Sequence, residues 1–434
     1  MDNPLLLGGA GFAITIALII LEVPVAVAMG LVGLLGCAWM IGADAVISIG
    51  STTTWDSLTN YTLSVLPLFV LMGNLASRSG LSSRLYQSAR TLVGHYKGGL
   101  ALATIGACGG FGMISGSSLA TAATMGRIAV PEMLEANYSK SLASGTVAAG
   151  STLGILIPPS TILVIYAYLA EQSIKSLFLA ALVPSLLAIA LYCAAIYLPI
   201  ILGLVTAPSV QRSSFRERLY ALADMGPTVI IFLLIIGLLY SGFLTANETA
   251  AIGVGLVLIY GLVSRRLSLE NLLGAAADTA RTCGALYLVV IGANLFNFFL
   301  ALTGVPFSMT SLLGDFVSNP LLLIIVMTII YLVLGCLMDS LAMVLLTVPL
   351  FVPIAQAAGI DPIWFGIYVV MVVELGLITP PVGMNLFVIR ASYADLRLQE
   401  VWKGIIPFIA ADLIRVALIV AFPMLVLWLP LKAL

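Results

Sequence analysis

The chain has 434 residues, of which 61% are hydrophobic and 9% charged, and its formal net charge is −1. A soluble domain carries roughly 25% charged residues, so this composition marks an all-α polytopic membrane protein, and long apolar runs without alternation exclude a β-barrel. With near-zero charge and Lys and Arg scattered at segment ends, nucleic acid is excluded as a partner, and the lipid bilayer is the surrounding phase.

The first apolar run, residues 5–21, has no basic stretch before it and no small-residue cleavage site after it, so a retained helix is expected. Spans are expected next at 23–41 and 62–77. No Lys or Arg occurs before Arg78; Arg78, Arg84, Arg90 and Lys97 then crowd one loop, which the positive-inside rule places in the cytoplasm. His95, the only histidine, sits among them and reads as solvated. Residues 81–94, and later 267–281, read as interfacial amphipathic arms.

Segment 98–133 does not fit a simple span. Its second limb, Leu119 to Pro131, has 13 residues, which reach about 20 Å across a core of about 30 Å. It must turn back, at the polar tip "SGSS" of residues 115–118. A span at 142–169 contains "STLGILIPPSTIL", and one at 177–203 closes the first half, 1–205. A cytoplasmic linker with Arg212, Arg216 and Arg218 occupies 206–225.

The second half, 226–434, is expected to run the same order upside down. Spans lie at 226–243, 248–263 and 283–303; a second re-entrant segment, 318–354, has the tip "MDSL" at 338–341; spans at 363–389 and 405–430 follow. In this threading Arg265, Arg266, Arg281, Arg390, Arg397 and Lys403 lie inside, while the acidic breaks at Asp44, Asp56, Asp315 and Asp361 lie outside. Lys175 and Lys432 are the basic residues left on the outer side.

A shift of 222 residues superimposes Ser117 on Asp339, Ser118 on Ser340, Gly154 on Gly376 and Pro158-Pro159 on Pro380-Pro381. These are the two Pro-Pro pairs of the chain. Two halves of opposite orientation that match in this way read as an inverted-topology repeat, common in secondary transporters.

Proline removes a backbone donor and clashes one turn back. Each "LGxxxPP" is therefore expected to bare carbonyl oxygens, which persist in lipid only when covered or bound by something positive. A hard cation of the Na⁺ type suits such oxygens, and the tips add hydroxyls and the Asp339 carboxylate. The bland alternative is two kinks plugged by neighbouring Ser and Thr. Helix N-termini pointing inward would favour an anionic ligand, a carboxylate or phosphate.

Asp339 reads as functional or as a structural cap, since ionisable groups at membrane depth are expensive. Glu374 stays open between a structural hydrogen bond, the second cation site and a proton carrier. Arg390 either marks the inner membrane surface or reaches a substrate carboxylate. The five cysteines are isolated and read as inert packing. A channel would call for a continuous pore, and an intramembrane enzyme for a nucleophile with a base or a metal cluster. No P-loop is present for an ATP-driven pump.

The strings "GGFGMISGSSLATAATMG", "GTVAAGSTLGILIPPS", "GCLMDSLAMVLLTVPLFVPIAQAAGIDP" and "GLITPPVGMNLFVIR" resemble the large membrane subunit of tripartite ATP-independent periplasmic (TRAP) transporters, as do "PLFVLMGNLA" and "FPMLVLWLP". The resemblance runs almost end to end. It implies an elevator-type fold in the bacterial inner membrane, no enzymatic activity, and Na⁺-driven uptake of an organic acid of the C4-dicarboxylate or sialic acid type. It also implies two partners, a small four-helix membrane subunit and a soluble periplasmic binding protein, with this chain as an unfused large subunit. Proton coupling without a binding protein stands as the alternative.

Carried over residue by residue, the first Na⁺ site would use Ser115, Ser117 and Ser118 with the carbonyl region of Thr152, Gly154 and Pro158. The second would use Gly335, Asp339 and Ser340 with Gly376, Thr379 and Pro380. Substrate is then expected near Gly116, Ser118, Ser340 and Asn385, with Arg390 on the cytoplasmic side.

Overall fold

The computed structural model describes residues 4–203, 205–305, 308, 319–393 and 395–433. Asp315 and the first residue of the expected hairpin at 318–354 lie outside these. Among the described residues there are nineteen helices and no strand.

The chain begins with α1 (Pro4–Ile20), α2 (Val25–Ile41), α3 (Ala43–Thr59), α4 (Val65–Arg78) and α5 (Leu81–Val93). The first hairpin is α6 (Gly99–Ser115) and α7 (Ser118–Glu135), and the first broken helix is α8 (Lys140–Leu156) with α9 (Thr161–Leu169). Then come α10 (Ile174–Ile201), α11 (Phe215–Ser241), α12 (Ala246–Val263) and α13 (Leu269–Thr303). The second hairpin is α14 (Pro320–Gly335) and α15 (Ser340–Ala357), followed by the broken pair α16 (Pro362–Ile378) and α17 (Met384–Ser392), then α18 (Leu398–Ala421) and α19 (Met424–Ala433).

Six of these helices, α10, α11, α12, α13, α15 and α18, are long and apolar enough to cross a membrane, and α8 with α9 makes a seventh candidate bent by 44°. The count is below the sequence reading because α1, α2 and α16 have 17 residues each and α4 has 14, at or below the lower limit for a span.

Five boundaries differ from the sequence reading. The expected linker at 206–225 is helical from Phe215 onward, where Ser214 caps α11, which continues into the expected span at 226–243. Residues 43–59, read as connection, form α3, a largely exposed helix whose Ser and Thr hydroxyls bond back to its own carbonyls. The arm at 267–281 and the span at 283–303 are one helix of 35 residues, about 52 Å long. Its polar patch is satisfied sideways by α4, where Arg78 pairs with Asp278 at 2.5 Å and Asn74 donates to Thr279 at 2.9 Å. The expected final span, 405–430, is interrupted beside Pro423. The α7 limb runs through Pro131 to Glu135. His95 is half-buried against Tyr96 and lies 3.3 Å from Arg218, rather than solvated.

Helices α7 and α15, and likewise α8 and α16, are displaced by 222 residues at both ends. The capping chemistry repeats as well: Ser117 accepts from the Ala120 amide and Asp339 from the Ala342 amide. Pro158-Pro159 and Pro380-Pro381 both have cis peptide bonds. Nearly all of α8 and α16 is buried, as expected for helices apolar on every side.

Candidate functional site

Each hairpin is held against its own broken helix through glycine. A Cβ on Gly112 would fall 2.7 Å from Gly154 Cα, and one on Gly335 would fall 2.6 Å from Gly376 Cα. These backbones touch because neither partner has a side chain. Gly154 also faces the tip, where a Cβ would lie 2.8 Å from both Ser117 O and Thr121 Oγ1. Gly116 turns the chain with φ of 60°, and its carbonyl accepts from Thr161 Oγ1 at 3.0 Å, which docks the tip on the far side of the first break.

The breaks interrupt both helices where the prolines predict, over residues 157–160 and 379–383. Local hydroxyls take part of the exposed carbonyl capacity. Ser160 donates to Ile155 O and Thr379 to Leu375 O, both at 2.5 Å.

The two tips meet at one cavity of about 270 Å³. Ser115, Ser117 and Ser118 line it from the first hairpin, Asp339 and Ser340 from the second, and Ile155 and Thr161 flank the first break. The remaining wall is absent from the sequence reading: Val70, Gly73, Asn74 and Ser77 of α4, with Thr282 and Leu286 of α13. A Gly-Asn pair inside the apolar run 65–78 was the available signal. Among the described residues no Lys or Arg lines this cavity, and Asp339 is its one carboxylate.

Hydroxyl bookkeeping fixes one donor direction at the first tip. Thr121 gives its proton to Ser117 O at 2.7 Å, so in the 3.0 Å contact between Ser115 and Thr121 it is Ser115 that donates. The Ser115 oxygen keeps its lone pairs.

Of the other expected residues, Gly116, Gly154, Pro158, Gly335, Gly376, Thr379 and Pro380 do not line this cavity, and the remaining three lie elsewhere. Thr152 faces Tyr192, with the hydroxyls 3.1 Å apart. Asn385 does not line the cavity but is buried behind it, 2.6 Å from Ser118. Arg390 is exposed in a separate cleft with Lys140, Asp395 and Arg397 that shares no lining residue with the tip cavity.

Glu374 is fully buried and paired with Arg415 at 2.7 Å, and Arg415 also pairs with Asp412 at 2.9 Å. The sequence reading includes neither partner, although Asp412 and Arg415, three apart within an apolar run, were a legible sign of an intramembrane ion pair.

The family described as "Tripartite ATP-independent periplasmic transporter, DctM component" matches residues 12–425. The chain belongs to the TRAP large-permease family. Among TRAP relatives it is 34% identical, over 90% of this chain and 91% of the relative, to the C4-dicarboxylate TRAP transporter large permease DctM of Pseudomonas aeruginosa. It is 33% identical, over 88% and 90%, to the sialic acid TRAP transporter large permease SiaM of Vibrio cholerae. The crystal structure of the Alcanivorax borkumensis YdaH transporter superposes with a TM-score of 0.62 over 91% of this chain and 90% of that one, at 16% identity, a likeness of fold. This TRAP chain is thus a multi-pass permease of the bacterial inner membrane and not an enzyme.

Proposed function

We propose that the chain is the large subunit of a secondary transporter that imports an organic acid anion together with Na⁺. The observation that carries this is the composition of the tip cavity. It joins both hairpin tips, offers hydroxyls and one carboxylate, and has no cationic side chain among its lining residues. An anion entering beside Asp339 meets like charge, so a bound cation is the missing counter-charge. The free lone pairs of Ser115 and the carboxylate of Asp339 are oxygen ligands suited to a hard ion.

The residues that would hold the first ion are Ser115, Ser117 and Ser118 with backbone around Gly154 and Pro158. The second ion would take Asp339 and Ser340 with backbone around Gly335, Gly376, Thr379 and Pro380. The side chains of Thr152 and Glu374 are engaged in a separate buried network, which removes Glu374 and leaves Thr152 its backbone carbonyl alone. Substrate would sit between Gly116, Ser118 and Ser340, the carboxylate toward the N-termini of α7 and α15.

The matched 222-residue offset of the hairpins and breaks supports an inverted repeat moving as one unit, the elevator reading. Relatives at comparable identity are named for C4-dicarboxylates, sialic acid, isethionate and ectoine. Overall identity therefore does not choose the acid, and a C4-dicarboxylate or a sialic acid remains the expected class. A periplasmic binding protein and a small membrane subunit are the partners; this chain spans 64% of the longer isethionate permease DctMQ of Oleidesulfovibrio alaskensis, which leaves length for a second membrane component there.

The test is uptake by the reconstituted complex with Na⁺ replaced by K⁺. Uptake is expected to collapse, and to require the binding protein. Undiminished transport in K⁺ rejects cation coupling, and transport without the binding protein rejects the tripartite assembly.

A further inference from the structure

Asn385 is the second residue of α17, just after the second break, and it is fully buried. Its Nδ2 lies 2.6 Å from Ser118 Oγ, at the tip of the opposite hairpin, and 3.1 Å from Ser151 Oγ in α8. The orientation of the amide follows from Ser151. A serine has one proton to give, and Ser151 gives it to Ala148 O at 2.7 Å. The amide atom facing Ser151 must therefore be the NH₂ group, because a carbonyl there would set two acceptors against each other. Both amide hydrogens are then committed, one to each serine.

The consequence falls on Ser118. Its oxygen accepts from Asn385, and among the described residues its own hydroxyl proton has no acceptor. Ser118 is 2% exposed, and its open side is the tip cavity. It is also the first residue of α7, where backbone amides lack helical partners and the dipole is positive. Meanwhile Asn385 Oδ1 is buried with no partner among the described residues.

We propose that Asn385 is a positioning residue that commits the Ser118 hydroxyl to donate into the tip cavity, so that this tip selects an acceptor oxygen of the ligand, a carboxylate. The inference rests on the transport reading above and narrows it, assigning Ser118 to substrate while Ser115, with its proton spent, serves the cation. Recognition at the first hairpin then depends on the second broken helix, because the side chain that orients Ser118 comes from the other half of the chain.

The test uses uptake of succinate and of N-acetylneuraminate by cells expressing the chain with a TRAP small membrane subunit and binding protein. Asn385→Asp replaces the donor by an acceptor at nearly constant volume, so Ser118 turns its proton toward residue 385. KM for the transported acid is expected to rise about tenfold, with the maximal rate within about twofold and membrane abundance unchanged. Ser118→Ala, which leaves residue 385 alone, is expected to give the same rise, and the double variant to be no worse than either single one.

An unchanged KM in Ser118→Ala, additive effects in the double variant, or a loss confined to maximal rate overturns the assignment and leaves the transport reading standing. If Asn385→Asp fails to reach the membrane, Ser118→Ala alone decides by the same criterion. Wild-type cells that take up neither acid overturn the transport reading and the carboxylate assignment together.

Discussion

Thr152 and Glu374, which occupy the same register 222 residues apart in α8 and α16, are the two ends of one buried polar chain. The Thr152 hydroxyl meets Tyr192 at 3.1 Å, Tyr192 donates to Asp412 at 2.8 Å, Asp412 pairs with Arg415 at 2.9 Å, and Arg415 with Glu374 at 2.7 Å. All five residues are fully buried. The helices that carry the two breaks are thereby tied to each other through α10 and α18, away from the tips. A network of this kind is worth little as net stability but much as a fixed geometry, since removing one member strands the rest.

Arg415→Met is expected to destabilise the protein by about 3–5 kcal/mol, because it leaves two carboxylates buried without their cation. Glu374→Gln removes one carboxylate and leaves the Asp412–Arg415 pair balanced. It is expected to cost much less, and to leave the Na⁺ concentration for half-maximal uptake unchanged, since Glu374 faces Arg415 rather than the cavity. Thermal melts in detergent and Na⁺ titration of uptake check both statements. A large loss of Na⁺ affinity in Glu374→Gln would return this residue to the cation site.

The glycine contacts give a second pair of expectations. Gly335→Ala places a methyl 2.6 Å from the Gly376 backbone, where no flexible side chain can yield. Overpacking of this sort costs about 1–3 kcal/mol, and here it also pushes the second tip off its break, so uptake should fall together with melting temperature. Gly255 lies inside α12, and a methyl added to it would meet no described atom within 4 Å. Gly255→Ala is expected to leave uptake intact and to stabilise the helix by about 0.5–1 kcal/mol.

How much of this was legible beforehand divides along the range of the interactions. The breaks and hairpin tips are written in local chemistry: Pro-Pro ends a helix wherever it falls, and Ser117 and Asp339 start one by capping the amide three residues on. The continuity of α13 was not legible, because the polar patch that looks like a boundary at Asp278 is resolved by Arg78, 200 residues earlier. The α4 wall of the cavity is hidden for the same reason: Asn74 and Ser77 look like ordinary polar residues until α4 is packed on the tip, where Gly73 lets it approach Ser115. Sequence alone puts Asn385 among the substrate contacts, and only three-dimensional packing sets it one layer behind Ser118.

His95, between α5 and α6, offers a pH test. Partial burial, then the charges of Arg218 and Arg212, hold its imidazole below the usual value of 6.5. The unfolded chain therefore binds this proton more readily than the folded one. Stability from this group is present above about 6.5 and is lost as pH falls through that value toward the folded one. Melting temperature should decline between about pH 7.5 and 5.5 more steeply in the wild type than in His95→Gln, and the difference should shrink at high salt. Equal slopes would show that the Arg218 contact does not govern protonation.

Asp339 separates its two roles by choice of replacement. It starts α15 by accepting from the Ala342 amide at 3.3 Å, and it supplies the carboxylate of the tip cavity. Asparagine is as good an N-cap as aspartate, whereas alanine forfeits about 1 kcal/mol. Asp339→Asn is therefore expected to keep abundance and melting temperature near wild type while raising the half-saturating Na⁺ concentration by about tenfold or more, the equivalent of losing one charge-assisted ligand. Asp339→Ala should show the same loss of Na⁺ affinity plus a lower melting temperature. Were Asp339→Asn to retain wild-type Na⁺ affinity, the carboxylate would be a cap alone, and the second ion would have to be held by neutral oxygens.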